Sequence, residues 1–185
     1  IKAITATGKR AIIQRGWGGL GYDRKGNAVD LPDSIIAIGP EAHTWLFERV
    51  AAVVHHGGAG TCAAGLLAGR PTMVCSFCLD QPFWGAAVEK HRFGAPTKPV
   101  REVTADDLID AIDNYLYDPT VLDNCMQAAV SMDKEDGVTE GVRSFHKHLR
   151  RYYKENKKFG VHRPQNPCSG MYQGLFSGIS LLIVA

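Results

Sequence analysis

Short apolar runs, each halted by glycine or proline and followed by a helix-forming stretch, set the architecture of this sequence. Ala11, Ile12 and Ile13 lie in a run over 10–14 that ends before Gly16. Ser34-Ile35-Ile36-Ala37-Ile38 stops at Gly39-Pro40, and Ala51-Ala52-Val53-Val54 meets the turn His55-His56-Gly57-Gly58-Ala59-Gly60. A fourth run, 72–76, precedes Asp80-Gln81-Pro82. Between them, 44–50, 61–69 and 82–92 read as helices, the second closed by Gly69 and Pro71 and the third opened by Pro82 in its first turn. The runs are continuously apolar rather than alternating, so each strand is expected to be buried on both faces. That pattern predicts an α/β fold: a Rossmann-like parallel sheet flanked by helices.

Farther along, Thr104 caps a helix in which Leu108, Ile109, Ile112 and Leu116 form one stripe, and Asp106 and Asp107 occupy the first turn, where the helix dipole favours acids. Leu122, Cys125, Met126, Ala129 and Val130 mark another helix after Asp118-Pro119. A last one, about 137–157, carries Val138, Val142, Phe145, Leu149 and Tyr152 on one side and Lys147, Arg150, Arg151, Lys154, Lys157 and Lys158 on the other. Residues 1–160 are thus expected to form one domain and 161–185 a tail of unassigned role. The apolar end, 174–185, is well short of the ~20 residues of a membrane-spanning helix and reads as a truncated or aberrant tail. Because the chain begins at Ile1 and shows no leader pattern, it is read as a piece of something longer.

With 21 basic against 19 acidic side chains, the formal charge is only +2, so nucleic acid is not the expected partner. Five cysteines with no repeating spacing do not make a disulfide framework, and a reducing, cytoplasmic setting fits them.

In an open parallel sheet, ligands bind outside the carboxyl ends of the strands, which directs attention to residues 55–61. Gly57, Gly58 and Gly60 let the backbone approach an anion, and the N–H groups opening the next helix point toward it. Thr61 adds a hydroxyl, and His56 an imidazole that donates one hydrogen bond when neutral or carries a full charge when protonated. A diphosphate suits such a cradle. A bare glycine turn that only packs helix against strand is the competing reading of the same residues.

The stretch His55-His56-Gly57-Gly58-Ala59-Gly60-Thr61, then Gly69-Arg70-Pro71-Thr72 and Asp80-Gln81-Pro82-Phe83-Trp84-Gly85, resembles the donor-binding half of nucleotide-sugar glycosyltransferases of the two-domain GT-B fold. Gly16-Trp17-Gly18-Gly19-Leu20 and Trp45-Leu46-Phe47 extend the resemblance to the sterol 3-β-glucosyltransferases over about residues 8–117. It implies a domain incomplete at its amino terminus and belonging to an inverting, metal-independent enzyme that transfers glucose from UDP-glucose to a sterol hydroxyl. The alternative acceptor is another lipid or a small lipophilic aglycone. By the same resemblance His56, Gly57, Gly58, Gly60 and Thr61 hold the diphosphate, while Asp80 and Gln81 hold the sugar hydroxyls. Asp80 also has the bland role of helix N-cap.

Trp17 and Ile38 are the candidate nucleoside contacts. Ile38 stands where plant members of the superfamily place a base-stacking tryptophan, and their ribose-binding glutamate falls on Ala64. Trp17 reads equally well as a plug over the sheet end, Trp84 as core, and His91 as surface. No cofactor and no metal are implied, UDP-glucose being a substrate. The catalytic base is expected in an amino-terminal domain outside these residues, so the chain alone is expected to be inactive. Two other readings remain from the residues themselves. Cys75-Ser76-Phe77-Cys78 has the spacing of a redox or zinc site. The basic face of the last helix, with Tyr152 and Tyr153 among its cations, suits peripheral contact with anionic lipid.

Overall fold

A computed structural model describes residues 1–15, 27, 29–155 and 180–184. The four apolar runs are strands β1 (Arg10–Gln14), β2 (Ile35–Ile38), β3 (Ala52–His55) and β4 (Thr72–Ser76). A two-residue strand, β5 (Lys98–Pro99), lies at one edge and β6 (Ser180–Val184) in the interior, in the order β2-β1-β6-β3-β4-β5. The β1–β2, β3–β4 and β4–β5 pairs are parallel. The sequence reading of 174–185 as an aberrant tail is corrected here. Residues 180–184 run antiparallel between β1 and β3, matching Ile12 and Val53 to Leu182. An unbroken apolar run suits a strand with a neighbour on each side, but no turn or helix pattern before it signals a strand.

Seven helices are described: α1 (Lys2–Thr7), α2 (His43–Phe47), α3 (Ala59–Leu67), α4 (Gln81–Lys90), α5 (Ala105–Ala111), α6 (Pro119–Asp133) and α7 (Gly137–Glu155). The expected stripe after Thr104 is present, but the helix widens into a π turn over Ile112–Leu116. Thr104 and Asp107 form the reciprocal capping box that starts α5: the Asp107 N–H donates to Thr104 Oγ1 and the Thr104 N–H to the Asp107 carboxylate. The hydrogen bond from Lys98, together with those from Thr104, lowers the Asp107 pKa to about 2. Neither α1, β5 nor β6 was expected, each lacking a clear period.

Both faces of the sheet are covered. On β3, Ala52 and Val54 point into a cluster with Ile4, Ile13, Met73, Ile112 and Leu116, whereas Val53 points the other way onto Leu46, Phe47 and Val50 of the α2 region. Gly94 is fixed by packing, because a Cβ there would stand 1.7 Å from the Thr72 carbonyl oxygen. By contacts the chain divides into two compact units, Ile1–Met132 with Phe176–Ala185, and Asp133–Leu175. The expected boundary at residue 160 lies outside the described residues. In the second unit, α7 has the expected apolar stripe, with Val138, Val142 and Phe145 exposed. Among the described residues no helix is long and apolar enough to cross a membrane.

Candidate functional site

The carboxyl ends of β1, β2, β3 and β4 share one edge of the sheet, since these strands run in register-paired parallel sets on either side of β6. β3 delivers His55 and His56 to that edge, where the backbone turns at Gly57 with φ +90°. A side chain there would be strained, and its Cβ would fall 2.4 Å from Val74 Cγ1. The Gly57 N–H is held inward, donating to His55 Nδ1 at 2.9 Å. Nδ1 is therefore the acceptor and the ring proton sits on Nε2, a buried donor with no partner among the described residues. Burial, aided by His56 and His43, lowers the His55 pKa to about 3, so this ring is neutral at physiological pH. It stacks on Phe47, which stacks on His43.

His56 faces the other way. It is 5% exposed, its Nδ1 is buried without a partner among the described residues, and its ring lies over Gly58, where a Cβ would come within 2.6 Å of Nε2. Helix α3 begins next. The Thr61 and Cys62 N–H groups donate back to the Gly58 carbonyl, leaving the exposed Ala59 and Gly60 N–H groups to open the helix. Of the two Thr61 donors expected at the cradle, the N–H is thus already engaged, as is that of Gly57. Gly60 has open space where a Cβ would go. Burial lowers the His56 pKa while the Asp80 carboxylate raises it, which places Asp80 within electrostatic reach of the cradle. Two helix-end donors beside an imidazole with an unspent nitrogen are the kinds of group that bind an anion at a helix amino end.

Asp80 occupies the N-cap position of α4, as expected, but its side chain makes no capping bond. Its Oδ2 instead accepts from the Trp84 indole N–H at 2.7 Å. Gln81 departs from expectation more clearly. Its side chain is 4% exposed, and Oε1 accepts from the Phe77 and Cys78 N–H groups at 2.7 and 3.2 Å. The carboxamide oxygen is therefore a clamp on the loop rather than an acceptor for a ligand, and only Nε2 remains to donate.

The model of the erythromycin biosynthesis protein CIII-like C-terminal domain matches residues 21–146. The chain belongs to that family. A sterol 3-beta-glucosyltransferase of Arabidopsis thaliana is 44% identical over 149 residues, covering 80% of this chain and 22% of that protein. The UDP-sugar-dependent glycosyltransferase 52 of Dictyostelium discoideum is 34% identical over 192 residues, 94% of this chain and 11% of the relative. The chain therefore spans about a fifth or less of these curated relatives. Among solved structures, the glycotransferase of kitacinnamycin superposes with TM-score 0.61 at 23% identity, over 74% of this chain and 34% of that one. Glycosyltransferase VinC in complex with DTDP gives 0.56 at 26% identity, over 66% and 31%. The fold is that of the carboxyl-terminal half of GT-B glycosyltransferases.

Within this family member the remaining candidates fall as follows. Trp17 lies outside the described residues. Ile38 ends β2 at the correct edge, but its half-buried side chain packs toward Leu46 and Phe47. Cys75 is half-buried in β4, and burial pushes its thiol up to about 11, opposite to what a reactive thiol needs. Among the described residues no three His, Cys, Asp or Glu side chains gather as metal ligands. Sequence reasoning overlooked Gln14 and His43. Gln14 is 7% exposed at the end of β1, donates to the Glu41 carbonyl at 2.8 Å and meets His43 Nε2 at 3.1 Å. Burial, then the nearby His56, lowers the pKa of His43, which stacks on Phe47 beneath His55. The only signal available was a buried-type strand ending in a polar residue.

Proposed function

We propose that this domain binds the donor of a UDP-glucose-dependent glycosyltransferase whose acceptor is a membrane sterol. The observation that carries the reading is the buried His56 ring, set with its Nε2 against Gly58 at the N-cap of α3 and its Nδ1 without a partner among the described residues, with Asp80 in electrostatic reach. A diphosphate satisfies the imidazole and the Ala59 and Gly60 N–H groups together, and Asp80 accepts from sugar hydroxyls. Identity to the sterol 3-beta-glucosyltransferases supports the acceptor class. The likeness to VinC, whose structure holds DTDP, supports a nucleoside diphosphate at the donor site; the alternative acceptor is another lipid or a small lipophilic aglycone.

In the transfer, charge gathers on the leaving diphosphate as the acceptor oxygen attacks the anomeric carbon. Helix N–H dipoles and His56 stabilise that charge without a metal. The acceptor proton is taken by a base elsewhere in the full protein, so the chain binds donor and does not turn over by itself. Steady sterol glucoside formation by the isolated chain overturns that last statement. Contact of the basic side of α7 with anionic lipid accords with a sterol acceptor; co-sedimentation with vesicles that does not depend on lipid charge refutes it.

Calorimetric titration tests the donor site. UDP and UDP-glucose are both expected to bind, with His56→Ala weakening both about tenfold, the scale of one charge-assisted hydrogen bond. Asp80→Ala weakens UDP-glucose alone. TDP-glucose reports base preference, and tighter binding of it than of UDP-glucose favours a transferase of the antibiotic type.

A further inference from the structure

Asp80 is held in a way that its N-cap position does not require. Residues favoured at the N-cap accept from the first turn of their own helix, yet this carboxylate makes no such bond. Trp84 is tied to it twice: the Trp84 backbone N–H donates to the Asp80 carbonyl at 3.2 Å, and the indole N–H to Oδ2 at 2.7 Å. The indole is itself immobilised. It packs against the cluster of Cys62, Val74 and Val88 and meets Phe83 edge-to-face with centroids 5.1 Å apart.

Neighbouring constraints leave this unit little room to move. At Gly85 a Cβ would fall 2.4 Å from Thr97 Oγ1, so α4 is pressed closely onto the segment before β5. On the other side, the Gln81 carboxamide clamps Phe77 and Cys78, and Leu79 enters the left-handed region at φ +59° immediately before Asp80. A non-glycine residue held there stores strain, a feature that clusters at ligand sites. The second carboxylate oxygen, Oδ1, makes no hydrogen bond among the described residues.

We propose that Trp84 is a positioning residue for sugar recognition: its indole N–H fixes the rotamer of the Asp80 carboxylate and leaves Oδ1 to accept from hydroxyls of the donor sugar. The proposal rests on the donor-site reading above and deepens it. A free, exposed aspartate loses rotamer entropy on binding a hydroxyl, whereas one already held loses little. The one side-chain hydrogen bond of Trp84 among the described residues goes to Asp80 and none goes to the 56–61 turn, so the loss of that bond is expected to tell on ligands that carry a sugar.

The test is a double-mutant cycle on donor binding. Trp84→Phe keeps an aromatic ring in the cluster and removes the donor. Its expected effect is UDP affinity unchanged and UDP-glucose weakened about fivefold, the scale of ordering one side chain that was previously held. In the Asp80→Ala background, Trp84→Phe has no further effect. Equal weakening of UDP and UDP-glucose, an undiminished loss in the Asp80→Ala background, or no loss at all overturns the positioning role. A wild-type measurement covers the case in which Trp84→Phe fails to fold: the Trp84 indole N–H resonance shifts on adding UDP-glucose and not on adding UDP, and an identical response to both ligands overturns the role. Absence of UDP binding overturns the donor-site reading itself, and this proposal with it.

Discussion

His55 and His56 are adjacent and have opposite duties, and the difference comes from which way each ring faces. His55 is wholly buried, gives its Nδ1 to the Gly57 N–H and stays neutral; His56 keeps a buried Nδ1 without a partner among the described residues. The His55 pKa of about 3 lies below the ordinary value of 6.5, so between those limits the unfolded chain binds the extra proton. Stability from this residue is fully present above pH 6.5 and falls on acidification by about 1.4 kcal/mol per pH unit. Urea unfolding between pH 7 and pH 4 measures the slope. His55→Asn retains an acceptor for the Gly57 N–H and removes the titration, so the variant's slope is shallower; equal slopes would exclude His55 as the source. The glycine turn and its flanking histidines were legible in the sequence. The division of labour between them was not, because the His55 tautomer follows from the Gly57 N–H, and its burial from the stack with Phe47 and His43 that the α2 segment supplies.

At the scale of elements, the site is built from junctions: the β3–α3 turn and the β4–α4 loop. At the first, the structure has the expected glycine turn opening a helix, the form an anion cradle takes and also the form of a turn that packs helix against strand. The second was read from resemblance, and Gln81 there proves to be a clamp whose oxygen is consumed by the loop it stabilises. Nothing in the order of residues distinguishes a glutamine facing a ligand from one facing its own backbone. Gly60 offers a contrast at the junction with α3. A methyl group there meets no protein atom within 4 Å, and alanine is the better helix former by up to about 1 kcal/mol. Gly60→Ala is therefore expected to leave the thermal midpoint unchanged or raised and to weaken UDP binding, because the free space is where the ligand approaches. A variant that binds UDP normally shows that the diphosphate approaches from another side.

For the molecule as a whole, the positions of β1 to β4 followed from apolar runs and stop signals to within a residue or two, because burial on both faces leaves a continuous signature. The two-residue β5 and the β6 strand did not, the second because its place depends on partners far away in sequence. It fills the gap between β1 and β3, and removing residues 180–185 is expected to expose two strand edges and promote self-association, measurable by light scattering. A monodisperse truncated protein refutes that role. The same strand also dictates an order of events in the cell. β1 and β3 are translated well over a hundred residues before β6, so two half-sheets leave the ribosome with their facing edges unpaired, and the sheet is completed only when the last segment arrives.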